Sequence, residues 1–175
     1  MTGKQRGPIP ADSNPPPLRS SRSVLPPYRY VPGVHAHPFR HPDGHMYTDG
    51  SAPTEKPWDE TQPWRNDSTA QYAADLFDHR YYWEAHEAWE SMWHQATPQG
   101  PSHKVLQSLI QVSAAILQHH MGSPRGPSTL LLRAESRLVE AGIKSHEGID
   151  LEGLIERTRD FFQTGDWPSL NWPGS

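Results

Sequence analysis

Apolar residues recur at helical spacing from about residue 67 onward, whereas the preceding third of the chain shows no such period. From this spacing, together with capping residues and helix breakers, we predict an all-α fold, a single bundle of about five helices. A capping box formed by Ser68 and Gln71 begins the first helix, and Asp150 caps the last. The predicted helices A to E span about residues 68–79, 81–95, 102–122, 127–141 and 151–164, so the helical domain is 67–175.

Proline dominates the first third of the chain, which holds 13 of the 19 prolines. Residues 1–24 combine proline, serine and arginine with few apolar groups, so we predict a disordered tail. Residues 25–66 keep aromatic side chains between prolines that block a helix. For this segment we predict an extended arm, rich in His, Pro and aromatic residues, that packs on the helical core. The alternative is a disordered segment with exposed aromatic side chains.

Helix B carries an unusual polar side. On a helical wheel, His86 and Glu90 lie one turn apart at the margin of the apolar arc, and Glu84 and Glu87 lie farther round. Trp83 falls between Glu87 and Glu90, where a face in water would not be expected to place a large aromatic group. We therefore predict that another helix or the arm covers this face, so its carboxylates need partners. The alternative is that Glu84 and Glu87 simply face water.

Helix C has the widest apolar arc and is predicted to be the central element of the bundle. Gln107 and Gln111 belong to a row of glutamines along one edge of that arc. Such a row either hydrogen-bonds other side chains or lines a cavity.

Composition narrows the function classes. The formal charge of −4 argues against a nucleic-acid partner, which requires a basic stripe. No apolar run is long enough for a membrane helix, no secretory signal is evident, and we expect a cytoplasmic location. The lack of cysteine excludes disulfides and thiolate chemistry. Trp167 and Trp172 are predicted to pack on the bundle; exposed, they would form an apolar patch that favours a homo-oligomer.

The run from Phe77 to Trp93, with its Glu-Ala-His-Glu-x-x-Glu string, closely resembles the signature of the family named domain of unknown function 309. The resemblance covers roughly residues 68–140 and implies a helical fold with no established reaction. It matches family motif positions at Glu84, His86, Glu87, Glu90 and Trp93, with Gln111 and Arg125 as further matches.

The chain departs from the family pattern at its connectors. Arg80 stands where family members often carry glycine, and Ser123 and Pro127 stand where asparagine and alanine are usual. These replacements weaken the transfer of a role to the loop between helices C and D, which contains Arg125.

One hypothesis for the site is a divalent metal ion. His86 and Glu90 at i and i+4 share a helix face, the spacing at which two ligands on one helix meet one ion. His37 and His45 from the arm, the latter folding back beside Gly44, complete the predicted ligand set. Glu87 would either supply a third oxygen ligand or act as general base on bound water. Imidazole and carboxylate ligands together suit Zn, Mn, Fe or Ni.

Two further hypotheses need no metal. In the first, Glu87 and Glu90 act as general acid and base with His86 on a small polar ligand. The residues predicted to bind that ligand are Glu84, Trp93, Gln107, Gln111 and Arg125. In the second, the Glu/His cluster is a structural hydrogen-bond network, and the chain is a non-enzymatic binding or scaffold module.

Overall fold

The structure, a computed structural model, describes residues 7–20, 24–49, 51 and 56–173. Within these residues the chain forms five α-helices, which confirms the predicted all-α bundle. The helices are α1 (Ser68–Asp78), α2 (Tyr82–Gln95), α3 (Pro101–His120), α4 (Gly126–Glu140) and α5 (Leu151–Thr164). Over the described part of the chain, none of them combines the length and apolar character that crossing a membrane requires.

The first helix begins differently from the prediction. Ser68 is already helical, and the N-cap is Asp67, whose carboxylate accepts the backbone N–H groups of Thr69 and Ala70 at 2.8 and 2.9 Å. The side chain of Gln71 donates to the carbonyl of Arg65, in the 3-10 turn Trp64–Asn66, and does not bond to the N-cap residue. The predicted capping box is therefore wrong, because an aspartate one residue earlier accepts two free N–H groups and places a negative charge at the helix start.

The centre of the bundle is α3, which packs between α2 and α4. Leu106, Leu109 and Ile116 of α3 are fully buried, and so are Trp89 and Met92 of α2. Burial of such large apolar side chains is the main stabilising contribution to a bundle of this size. One flank of α2 is thereby fixed against α3, and its other flank is left for the N-terminal segments.

A short hairpin between α4 and α5 was not predicted. Its strands, β1 (Ser145–His146) and β2 (Ile149–Asp150), are antiparallel and two residues long. Glu147 and Gly148 form the turn, with φ angles of 52° and 85°, as in a type I′ turn. The sequence gives little sign of it, because the strands are too short for alternation and glutamate rarely precedes glycine in such turns.

Residues 7–20 correct the prediction of a disordered tail over 1–24. Ile9 is only 4% exposed, and the guanidinium group of Arg19 forms buried ion pairs with Asp75, at 2.9 Å, and with Asp78. The segment is held by the Arg19 ion pairs with α1 and by burial of Ile9, two isolated contacts that composition does not reveal. The parts of the predicted tail at 1–6 and 21–23 lie outside the described residues.

The C-terminal segment forms hydrogen bonds with the same cluster of Arg19 and Asp78. Asp78 accepts the backbone N–H of Leu170 at 2.8 Å, and Arg19 donates to the carbonyl of Trp172 at 3.1 Å. Trp172 is buried, and Trp167 stacks on Tyr82 with ring centroids 5.7 Å apart. Both tryptophans therefore pack on this chain, and they do not form the exposed patch that would have favoured self-association.

Arg19→Ala should lower the free energy of unfolding by about 3 kcal/mol, because it leaves two buried carboxylates without their cation. Urea denaturation followed by circular dichroism measures the change. The control is Arg133→Ala, since Arg133 is exposed on α4 and its loss should cost less than about 0.5 kcal/mol. Equal stability of the two variants would contradict the role assigned to Arg19.

Candidate functional site

The arm covers the flank of α2 that faces away from α3. Trp83, near the start of α2, packs against the rings of Tyr30, His37 and Phe39, with centroids 4.9, 5.7 and 5.4 Å away. The position of Trp83 on the helical wheel predicted that this face is covered, and the arm is the segment that covers it. The polar residues of α2 next to Trp83 therefore lie partly inside the protein.

Glu84 is the acidic residue most deeply enclosed by the arm, with only 3% of its side chain exposed. Its Oε1 atom accepts two hydrogen bonds, from the backbone N–H of Tyr30 at 3.0 Å and from Nε2 of His45 at 3.1 Å. Its Oε2 atom is buried and has no hydrogen-bond partner among the described residues. One oxygen of this carboxylate therefore holds the arm on α2, and the other is left free.

His45 is held in position by Tyr28. The two rings meet edge to face with centroids 4.6 Å apart, and the backbone N–H of His45 donates to the phenol oxygen of Tyr28 at 3.3 Å. That phenol in turn donates to the carbonyl of Ala36 at 2.8 Å. The side chain of His45 is 4% exposed, so its contact with Glu84 is shielded from water on both sides.

A cavity of about 570 Å³ opens between the arm, α1 and α2. Much of its wall is apolar and comes from both the arm and α1. Examples from this wall are Leu25, Pro26, Phe39, Met46 and Leu76. Glu84 lines the cavity as well, and its Oε2 atom is buried in this wall without a hydrogen-bond partner among the described residues.

Polar groups converge on the same cavity from successive turns of α2. Glu84, Glu87 and Ser91 lie at i, i+3 and i+7 on one helix face, and Glu90 lies beside them. The hydroxyl of Ser91, like Oε2 of Glu84, is buried without a hydrogen-bond partner among the described residues. Two unpaired polar atoms thus lie two helical turns apart along one wall of the cavity.

Lys56 is the cationic residue that reaches this cavity from the arm. Both ends of the Gln95 amide hold this segment on α2, since Gln95 donates to the carbonyl of Lys56 at 3.0 Å and accepts the N–H of Trp58 at 3.1 Å. The Lys56 ammonium lies 4.0 Å from the ring centroid of Tyr72 on α1. Desolvation lowers the pKa of Lys56, and burial raises the pKa of the Tyr72 phenol, which keeps that phenol neutral.

The predicted helix cluster is partly present. Among the described residues, His86, Glu87 and Glu90 form the group whose ligand atoms lie within 4.8 Å of one another, the proximity that a shared metal ion requires. Nδ1 of His86 lies 3.4 Å from Oε1 of Glu87, outside hydrogen-bond geometry. Both side chains are partly exposed, at 28% and 31%.

The arm histidines do not join that group, which corrects their predicted place in the ligand set. Nδ1 of His37 accepts the backbone N–H of Phe39 at 3.2 Å, and Nε2 of His45 contacts Glu84 instead of His86. The prediction placed His37 in an extended segment, whereas residues 37–46 form successive turns, and the fold-back expected for His45 leads to Glu84. Gly44 permits this, because a Cβ there would lie 2.3 Å from the carbonyl oxygen of His37.

The other predicted ligand-binding residues lie elsewhere. Oε1 of Gln111 accepts a hydrogen bond from Arg137 of α4 at 2.6 Å, and Gln107 lines a separate cavity between α3 and α4. Arg125 is the N-cap residue of α4, and Trp93 is not among the residues lining the cavity beside Glu84. The glutamine row of α3 thus faces α4, whereas the acidic side of α2 faces the arm.

Sequence reasoning did not select Lys56, Tyr72 or Ser91, which complete the cavity. For two of them a signal was present. Tyr72 precedes the inward-facing Leu76 by one turn, and Ser91 follows Glu84 by two turns on the face that the arm covers. Lys56 carried no comparable signal, because its place depends on how the arm folds.

Comparison with known proteins bears on α1 to α3. The model of the family described as "Domain of unknown function (DUF309)" matches residues 70–130, which confirms the resemblance seen in the motif of α2. No curated protein and no solved structure matches the chain. The matched range contains Tyr72 and the acidic residues of α2, whereas His45 and Lys56 of the arm lie outside it.

His45→Ala should loosen the arm, because it removes one of the two donors to Glu84 and the ring that packs on Tyr28. We expect a loss of about 2 kcal/mol in the free energy of unfolding and faster proteolytic cleavage within residues 24–49. Urea denaturation and limited proteolysis measure the two effects. His41→Ala is the matched control, since the His41 side chain is half exposed in the same arm. Equal cleavage of both variants would contradict the arm's attachment through Glu84.

Proposed function

We propose, from the premise that residues 70–130 belong to the family described as domain of unknown function (DUF309), that this chain is a small-molecule-binding protein. The ligand occupies the cavity between the arm, α1 and α2. Because the family description assigns no reaction, the proposal rests on the chemistry of this site alone.

The observation that carries the proposal is the free Oε2 atom of Glu84, buried in the wall of the cavity. A buried acceptor that loses its water without gaining a donor costs about 1–3 kcal/mol, and more when it is charged. Folded proteins retain few such groups. A ligand that brings its own donor into the cavity would satisfy this oxygen, which accounts for its retention.

The shape of the cavity agrees with this use. Ligand sites are concave spaces of roughly 300–1,000 Å³ with mostly apolar walls and a few convergent polar groups. The cavity beside Glu84 has about 570 Å³, apolar walls, and polar groups from Glu84, Glu87 and Ser91. The arm forms one side, so arm and helices must both be in place before a ligand binds.

Glu84 is also the residue best placed for acid–base chemistry. Two hydrogen bonds to Oε1 fix the carboxylate plane, so Oε2 has one orientation toward a bound molecule. A carboxylate positioned in this way accepts a proton from a ligand group within hydrogen-bond reach. If the chain catalyses a reaction, this proposal assigns the proton acceptor to Glu84, with Glu87 and Glu90 in secondary positions.

A ligand-observed NMR screen of the full chain against a fragment library tests the proposal. We expect fragments that bind the wild-type protein and lose binding in Ala88→Phe, because Ala88 lines the cavity and a phenyl group would fill it. Ala88 lies on the arm-facing side of α2, so unfolding measurements must first show that the variant is folded. Fragments that bind wild type and Ala88→Phe equally would place binding elsewhere and refute the proposal.

A divalent-cation site at His86, Glu87 and Glu90 is a second candidate function. Its support is the 4.8 Å proximity of one imidazole nitrogen and two carboxylate oxygens on one helix. A mixed nitrogen and oxygen donor set suits Zn, Mn, Fe or Ni. Partial exposure of His86 and Glu87 would leave coordination positions open to water, as hydrolytic metal sites require.

Titration calorimetry of tag-free protein with Zn²⁺ and with Mn²⁺ tests the metal site. We expect one ion per chain, with affinity at least about tenfold weaker in His86→Ala, since loss of a direct ligand costs no less than loss of its supporting hydrogen bond. His41→Ala should bind as wild type. Unchanged affinity in His86→Ala, or no binding by wild type, would remove this candidate.

A further inference from the structure

We infer that the ligand of the Glu84 cavity is an organic cation: a primary ammonium or guanidinium group carried on an apolar body. The inference rests on the proposed small-molecule function and names the chemical class of the ligand.

The balance of charged groups around the cavity favours a cation. Glu84, Glu87 and Glu90 contribute three carboxylates to its lining, whereas Lys56 contributes one ammonium group. Among the carboxylates, Glu84 is the decisive one, because it is almost wholly buried and one of its oxygens has no partner. An N–H⁺ group supplies both things that this oxygen lacks, a donor and a compensating charge.

The structure already holds a cation on one wall of this cavity. The Lys56 ammonium lies 4.0 Å from the ring centroid of Tyr72, within the range of a cation–π contact. Both residues line the cavity. Lys56 forms no ion pair with the three glutamates among the described residues, and its side chain is long and flexible. A ligand cation that enters the cavity therefore replaces the Lys56 ammonium in this electrostatic environment.

The remaining walls set the nature of the ligand body. Leu25, Pro26, Phe39 and Met46 offer no charge, so the part of the ligand that they contact is apolar. A bare metal ion at Oε2 of Glu84 would require several ligands, and among the described residues Glu84 belongs to no group of three ligand atoms close enough to share an ion. An anionic ligand would face three carboxylates at close range in a partly desolvated space. An alkyl or aryl group that bears one amine has the apolar body, the hydrogen-bond donor and the positive charge that this cavity favours.

Three probes of similar size and different charge test the inference: phenethylamine, phenethyl alcohol and hydrocinnamate. Each is titrated into the full chain at neutral pH by NMR or calorimetry. We expect the amine to bind at least about tenfold more tightly than the alcohol, and hydrocinnamate to bind most weakly. In Glu84→Gln the preference for the amine over the alcohol should fall by about tenfold, because the glutamine side chain carries no charge.

Two further variants make the test specific. Lys56→Met removes the competing internal cation and should strengthen binding of the amine, with little effect on the alcohol. Glu156→Gln, on the exposed side of α5, is the matched control for Glu84→Gln and should bind all three probes as wild type. Because glutamine at position 84 can still accept the hydrogen bonds of the arm, a folded Glu84→Gln protein is expected, and circular dichroism checks it.

The outcomes separate this inference from the proposed function. If the alcohol or hydrocinnamate binds as tightly as the amine, or if Glu84→Gln keeps the full preference, the cation inference is wrong and the small-molecule function stands. If none of the three probes binds, the cation inference is wrong, and the fragment screen with Ala88→Phe decides the small-molecule function separately.

Discussion

The hydrogen bonds to one carboxylate oxygen, Oε1 of Glu84, are the interaction on which the site depends. A charge buried on a helix flank is tolerated only when donors surround it. Here the arm brings them, from the Tyr30 backbone and the His45 ring. The same contact closes one wall of a cavity and leaves the second oxygen of Glu84 without a donor inside it. The Glu84 side chain therefore both attaches the arm to α2 and keeps one carboxylate oxygen without a hydrogen-bond partner.

A comparison with the other buried carboxylates shows why this incompleteness is informative. Asp75 and Asp78 on α1 are also enclosed, but Arg19 pairs with both, and backbone N–H groups of the two tails complete their bonding. Their network joins three distant segments of the chain. Among the described residues, neither carboxylate has a buried oxygen without a hydrogen-bond partner. This network serves the fold. The Glu84 carboxylate, in contrast, has one oxygen satisfied by the arm and one that is buried beside the cavity without a donor, which a donor group of a ligand would complete.

Much of the bundle could be predicted from the sequence, because helix period, caps and breakers are local signals. The five helices followed from these signals. The covered flank of α2 followed from Trp83, a large aromatic residue on the otherwise polar side of that helix. Glu84 was selected by its motif, although not as the centre of the site. The central role of Oε1 and Oε2 depends on where the arm lies, which spacing within α2 does not specify.

The failures share a physical cause, the folding of segments without a regular period. Residues 7–20 are held by isolated contacts, among them the Arg19 ion pairs with α1 and the burial of Ile9, and composition predicted disorder because it does not reveal such contacts. His37 was assigned to the metal site as part of an extended segment, and His45 as folding back beside Gly44. The chain does turn at Pro42-Asp43-Gly44, but the turn brings His45 to Glu84 instead of His86.

Hydrogen exchange at the backbone amide of Tyr30 tests the central contact most directly. That N–H belongs to no helix or strand, and the hydrogen bond that it donates goes to Oε1 of Glu84. The account predicts that it exchanges far more slowly than in an unstructured peptide, and that this protection is lost in Glu84→Ala while the amides of α3 keep theirs. Exchange at the unprotected rate in the wild-type chain would contradict it.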